Sequence, residues 1–122
     1  MADILLIEDS PTDAHAYSKI LRKSGHDVRV AITGEEGMDM ARQAQPDVIL
    51  MDIVMPGVNG FEATRLLQRD RVTADIPVIM LSTKDQETDR IWGLRQGAID
   101  YLVKPVSRQN LLRSVDSALA GA

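Results

Sequence analysis

Residues 49–60 read ILMDIVMPGVNG. A run that is apolar from Val48 to Met51 ends in an aspartate, Asp52, and the chain then enters a turn marked by Pro56-Gly57 and Asn59-Gly60. Such a run does not alternate as a strand with one wet face would. It suits a parallel strand covered by helices on both sides. A carboxylate at its tip is costly to bury among apolar residues unless another charge compensates it. Fold and function both turn on what compensates Asp52.

Working outward, three further apolar runs have the same character: Ile4–Ile7, Val78–Leu81 and Tyr101–Val103. A weaker strand, Asp27–Ala31, follows Gly25 and suits a sheet edge. Helical patterns lie between the strands. Ser10-Pro11 is an N-cap with a first-turn proline, and Gly25 a stop. Thr33-Gly34-Glu35-Glu36 and Asn59-Gly60-Phe61-Glu62 have capping-box spacing. Gly37, Met40, Ala41 and Ala44 fall on one face of the second helix, and Leu111, Leu112, Val115, Ala118 and Leu119 on one face of the last.

Strand and helix thus alternate five times, which implies an α/β fold with an open parallel sheet, right-handed crossovers and helices on both faces. Periodicity does not rank the possible strand orders. Among known five-stranded folds the flavodoxin-like order 2-1-3-4-5 is the leading choice, with its ligand crevice at the carboxyl ends of strands one and three. The 122 residues suit one domain over 1–122, and the last predicted helix runs to the end, so no output domain is expected.

Apolar residues at 44% and charged residues at 26% are ordinary for a folded globular chain. With only Tyr17, Phe61, Trp92 and Tyr101 as aromatics, the core must rest on aliphatic residues and methionine. A net charge of −4 argues against a nucleic-acid surface. The absence of cysteine excludes disulfides, thiol catalysis and Cys-ligated metals. The opening MADILLIEDS has no basic n-region and reaches Glu8 after four apolar residues, so neither a signal peptide nor membrane insertion is expected, and the expected location is cytoplasmic.

The polar residues at the strand tips complete the pattern. Glu8 and Asp9 follow strand one, Asp52 ends strand three, Ser82-Thr83 end strand four and Lys104-Pro105 end strand five. In the switch-point order the tips of strands one and three are neighbours, so three carboxylates share one crevice. Two like charges about 5 Å apart repel by roughly 3 kcal/mol at an effective dielectric near 20, so such a cluster requires a cation. Oxygen ligands without His or Cys favour a hard ion, Mg²⁺ before Zn²⁺, with Mn²⁺ as a substitute. Singly, each residue has an ordinary use. Ser10 can cap a helix beside solvated acids, Asp52 can form a turn, Ser82 or Thr83 can cap the fourth helix, and Lys104 can be surface charge. Their shared position on one sheet edge is what argues for a site.

With these residues in hand, the chain resembles a response-regulator receiver domain of the two-component and chemotaxis type. The resemblance spans essentially the whole chain and is carried by LIEDS (6–10), VILMDIVMPGVNGFEATR (48–65), IPVIMLST (76–83) and GAIDYLVKP (97–105). It implies that Asp52 is the phosphoacceptor and that Mg²⁺ is held by Asp9, Asp52 and the backbone carbonyl of Val54, with Glu8 acting through water. It implies Ser82 as the switch hydroxyl, Lys104 as the phosphate-contacting cation and a cis Lys104–Pro105 bond. Tyr101 matches an aromatic switch that turns into space vacated when Ser82 draws its loop inward. The implied partners are a sensor histidine kinase, or its phosphotransfer domain, and a downstream protein that binds the face of the fourth helix, fifth strand and fifth helix. The implied role is that of a phosphoacceptor signalling protein that assists its own phosphorylation and dephosphorylation, not an enzyme with turnover. MDIVMPGVNGFEATR and STKDQETDRIWGLRQGA further resemble the regulators of type IV pilus chemotaxis, which act in twitching motility.

Some positions depart from the common pattern. Thr83 stands beside Ser82, and the spacing to Lys104 favours Ser82 as the switch. Val54 cannot orient an attacking water through its side chain, and Lys84 is basic where many relatives differ, so an acyl-phosphate lifetime does not carry over. Trp92 and Arg95 either help form a partner face or, for Trp92, pack on the sheet. A flavin carrier shares the topology, but EDSPTDAHA (8–16) is acidic where a flavin phosphate would bind. A metal-dependent phosphohydrolase would need an acid at position 54. A phosphate sink in a branched relay, and an inactive docking module, remain as alternatives to a signal transmitter.

Overall fold

The computed structural model describes residues 1–121. Five strands alternate with five helices: β1 (Asp3–Ile7), α1 (Pro11–Lys23), β2 (Asp27–Ala31), α2 (Gly34–Ala44), β3 (Val48–Asp52), α3 (Gly60–Arg69), β4 (Val78–Ser82), α4 (Glu87–Arg95), β5 (Asp100–Val103) and α5 (Arg108–Ala120). All strand pairs are parallel and the order is β2-β1-β3-β4-β5, as expected.

Side-chain parity explains why the strand runs are continuously apolar. Successive residues of a strand point to opposite faces. Ile4, Leu6, Val48, Leu50, Ile79 and Leu81 therefore pack with Tyr17 and Leu21 of α1 and Leu111 and Val115 of α5. Leu5, Ile7, Ile49, Met51 and Val78 pack on the other face with Ala41 of α2 and Ala63 and Leu67 of α3. β3 and β4 are buried along their whole length, whereas β2 exposes Asp27 and Arg29 at the sheet edge.

The expected helix starts are present. The side chains of Ser10, Thr33 and Asn59 accept from the N–H groups of Asp13 (3.3 Å), Glu36 (3.0 Å) and Glu62 (3.0 Å). Neither capping box closes in the standard way. Glu36 accepts instead from Ile32 N–H, one residue outside the cap, and Glu62 pairs with Arg65. The fourth helix starts later than a cap at Ser82 or Thr83 would allow, with Gln86 as its N-cap. This helix is held differently from the others. Its buried residue is Gly93, which lets Met80 and Tyr101 approach, while Ile91 and Trp92 stand exposed. Trp92 therefore does not pack on the sheet.

Candidate functional site

The parallel sheet carries the ends of β1, β3, β4 and β5 to one edge, and the sequence-predicted residues meet there. Glu8 follows β1 and is anchored by its N–H to the Ala31 carbonyl at 2.8 Å. Asp52 closes β3 and lies beside Leu81 in the register, while Ser82 lies beside Val103. The Lys104 N–H donates to the Ser82 carbonyl at 2.7 Å, which fixes the two outer tips to each other. Glu8, Asp52 and Ser82 are buried, and Asp9 is half-buried.

Glu8, Asp9 and Asp52 each offer a carboxylate oxygen, and these three oxygens lie within 4.8 Å of one another. The Lys104 ammonium faces the cluster, 2.6 Å from Glu8 Oε1 and 3.3 Å from Asp52 Oδ1. Glu8 has its other oxygen engaged by the Ser10 N–H at 3.1 Å, and Asp52 Oδ1 also accepts from the Ile53 N–H at 2.9 Å. Burial first, and then the hydrogen bond and negative charge of Glu8, push the Asp52 carboxyl up to about 7, against the opposing pull of Lys104. Burial also works to discharge Lys104, but hydrogen bonds to Glu8 and Asp13 and the charges of Asp52 and Glu8 outweigh it and hold the ammonium protonated well above its usual range. One cation thus leaves the acids under-compensated. An all-oxygen set of crowded acids with excess negative charge fits a hard divalent ion.

A second chain of bonds leaves the cluster through β4. Ser82 Oγ accepts from the Lys84 N–H at 3.0 Å, and the Lys84 carbonyl accepts from the Tyr101 hydroxyl at 2.8 Å. Thr83 and Lys84 are exposed, so of the two adjacent hydroxyls it is Ser82 that faces inward. Tyr101 is buried, packed with Ile53, Met80 and Ala98. Val54 is 59% exposed at the lip of the cleft, and the Lys104–Pro105 bond is cis.

Two neighbours of the site were not legible as such in the sequence. Asp13, in the first turn of α1, places Oδ2 at 2.9 Å from the Lys104 ammonium. Tyr17, one turn further along α1, accepts from the Val106 N–H through its hydroxyl at 3.2 Å. The available signal was the i, i+4 spacing of Asp13 and Tyr17 on the helix that follows Glu8-Asp9. A surface depression lies elsewhere, at the amino edge of the sheet among Gln68, Pro77, Asp100 and Ser114. It holds none of these groups.

This chain belongs to the response regulator receiver domain family, whose family model matches residues 4–116. It is 55% identical over 121 residues to the protein PilH of Pseudomonas aeruginosa, covering 99% of this chain and 100% of that one. It is 42% identical over 119 residues to the DNA-binding transcriptional regulator RpaA of Synechocystis, covering 98% of this chain but 49% of the relative. Among solved structures it superposes on the Vibrio cholerae chemotaxis protein CheY4 with a TM-score of 0.91 at 31% identity, covering 98% of this chain and 99% of that one. The receiver domain of the Pseudomonas aeruginosa sensor histidine kinase PA1611 matches equally well, with a TM-score of 0.91, 31% identity and 98% coverage of both chains. That structure contains a magnesium ion coordinated in its active-site cleft.

Proposed function

We propose that this chain is a single-domain response regulator that accepts a phosphoryl group on Asp52 from a sensor histidine kinase or its phosphotransfer domain. The observation that carries the reading is the convergence of three acids and Lys104 on one sheet edge, with Asp52 Oδ1 in reach of the ammonium. Asp9, Asp52 and the Val54 backbone carbonyl are the groups proposed to hold Mg²⁺. Glu8 acts less directly, a reading supported by the engagement of both its oxygens by Lys104 and Ser10. Bound there, Mg²⁺ would supply the charge neutralisation that lets an anionic nucleophile meet an anionic donor.

The chain's own groups do the rest. A carboxylate oxygen of Asp52 forms a bond to phosphorus as the phosphorus–nitrogen bond of a phosphohistidine breaks and the imidazole leaves with the electron pair. Lys104 turns an N–H toward a phosphoryl oxygen. The Ser82 hydroxyl, which accepts from Lys84 at rest, still has its own proton to donate to the phosphoryl group. Movement of Ser82 passes through Lys84 to Tyr101, and so to the face formed by α4, β5 and α5, where Ile91, Trp92 and Val103 are exposed. Phosphorylation then shifts the population between two packings of that face and controls binding of a downstream protein. The 55% identity to PilH over its whole length supports a place in type IV pilus, chemotaxis-like motility signalling.

Incubating the chain with acetyl phosphate and Mg²⁺ tests the reading. One base-labile phosphoryl group per chain is expected, and none in Asp52→Asn. Label that persists in Asp52→Asn, or wild-type protein that takes none, would remove Asp52 from this role.

A further inference from the structure

Asp13 lies outside the cluster of acids whose oxygens share one space, and it reaches the site through Lys104. An ammonium has three N–H donors. Here all three face carboxylates: Glu8 at 2.6 Å, Asp13 at 2.9 Å and Asp52 at 3.3 Å. No donor is left over for a phosphoryl oxygen, so one of these bonds must yield. The Glu8 side chain is fully buried and that of Asp52 nearly so, whereas the Asp13 side chain is 37% exposed. Releasing a buried carboxylate from its cation carries the full cost of an unpaired charge, while a half-exposed one is taken up by water. Asp13 is the partner that can let go.

We propose that Asp13 is a positioning residue for phosphoryl transfer. It acts through Lys104, holding one ammonium proton at rest and yielding it to the incoming phosphoryl group, so that its charge restrains the reaction. The surroundings fix its place. The Asp13 N–H is capped by Ser10 Oγ, and Tyr17 on the next turn grips the Val106 N–H just beyond the Lys104–Pro105 segment. Helix α1 therefore holds the Lys104 segment at two points, by side chain and by backbone. An acid in the first turn of a helix also has an ordinary use, in favourable interaction with the helix dipole. That use does not require an ammonium at hydrogen-bond distance, and it predicts a different outcome from the one below.

The inference rests on the reading of Asp52 as phosphoacceptor. Its test compares the wild-type chain with Asp13→Asn, Asp13→Ser and Asp13→Glu in two measurements. The first is Mg²⁺ affinity by calorimetry without phosphodonor, and the second is the rate of phosphoryl incorporation from acetyl phosphate at saturating Mg²⁺. Removing the charge in Asp13→Asn and Asp13→Ser weakens Mg²⁺ binding by about two- to fivefold, because one negative charge fewer faces the ion and Lys104 settles more fully on Glu8 and Asp52. The same variants take up phosphoryl about three- to tenfold faster, because an ammonium donor is free and the anionic donor meets less repulsion. Asp13→Glu returns both values toward wild type. A purely structural role would lower affinity and rate together, so opposite signs support the proposal. An unchanged or slower rate in the uncharged variants, with the wild type labelled normally, overturns it. A wild type that takes no label fails the Asp52 reading first, and this inference with it.

Discussion

At Asp52, burial and the neighbouring Glu8 raise the carboxyl to about 7 from an ordinary value of 3.8. Between those values the folded chain binds a proton that the unfolded chain has released. Stability from this group is therefore greatest at low pH and is lost as pH rises through that window, the reverse of a carboxylate whose pKa is lowered by pairing. In metal-free buffer Asp52→Asn is expected to stabilise the chain by about 1–3 kcal/mol at pH 8, and the gain shrinks as pH is lowered toward 4. Thermal melts of both proteins across that range check this, and a gain independent of pH would contradict it. The sequence marked Asp52, Glu8, Asp9, Ser82 and Lys104 because each terminates a strand, and the fold sends strand ends to one edge. Asp13 escaped because it sits inside a helix, where spacing alone does not tell a cap-stabilising acid from a site residue.

At the scale of elements, the turn that carries Asp52 into α3 is fixed by a glycine. A Cβ on Gly60 would collide with the Asp52 carbonyl and come within 2.7 Å of Ile53 Cα. Those atoms are backbone and cannot swing aside. Gly60→Ala is expected to cost about 2–4 kcal/mol and to disturb the acceptor, measured as a lower urea midpoint together with weaker labelling of Asp52. A variant with wild-type stability would show that the turn is looser than its geometry. The sequence showed Asn59-Gly60 as a helix start, and Asn59 does cap α3. It did not show that the glycine is needed for close approach to the neighbouring strand. The fourth helix is the converse case. Its pattern leaves no clear apolar face, and the structure buries Gly93 while exposing Ile91 and Trp92.

For the molecule as a whole, the sheet edge gathers Glu8, Asp13 and Asp52 around the Lys104 ammonium and sets Asp9 beside Glu8 and Asp52. Folding confines these charges, and unfolding separates them, so a cation that binds the folded cluster stabilises the fold by linkage. Mg²⁺ at about one hundred times its dissociation constant is expected to add about 2.7 kcal/mol, read as a rise in melting temperature that a chelator reverses. The rise should be much smaller in Asp9→Ala and Asp52→Asn. An equal rise in all three proteins would place the ion elsewhere. The two cores on either side of the sheet give this edge its rigidity, since β3 and β4 are packed on both faces along their whole length.

The sequence by itself determined the alternation of strand and helix, the two-faced burial of the central strands, the N-caps of the first three helices and the residues at each strand tip. Those properties repeat along an element and depend on near neighbours in the chain. Tertiary structure alone decided that Asp13 reaches a lysine 91 residues away and that Tyr101 already lies inward on the Lys84 carbonyl. Each of these depends on how a helix or loop from one crossover settles against a strand from another. Local periodicity carries no information about that aim, because it is set by packing between distant segments.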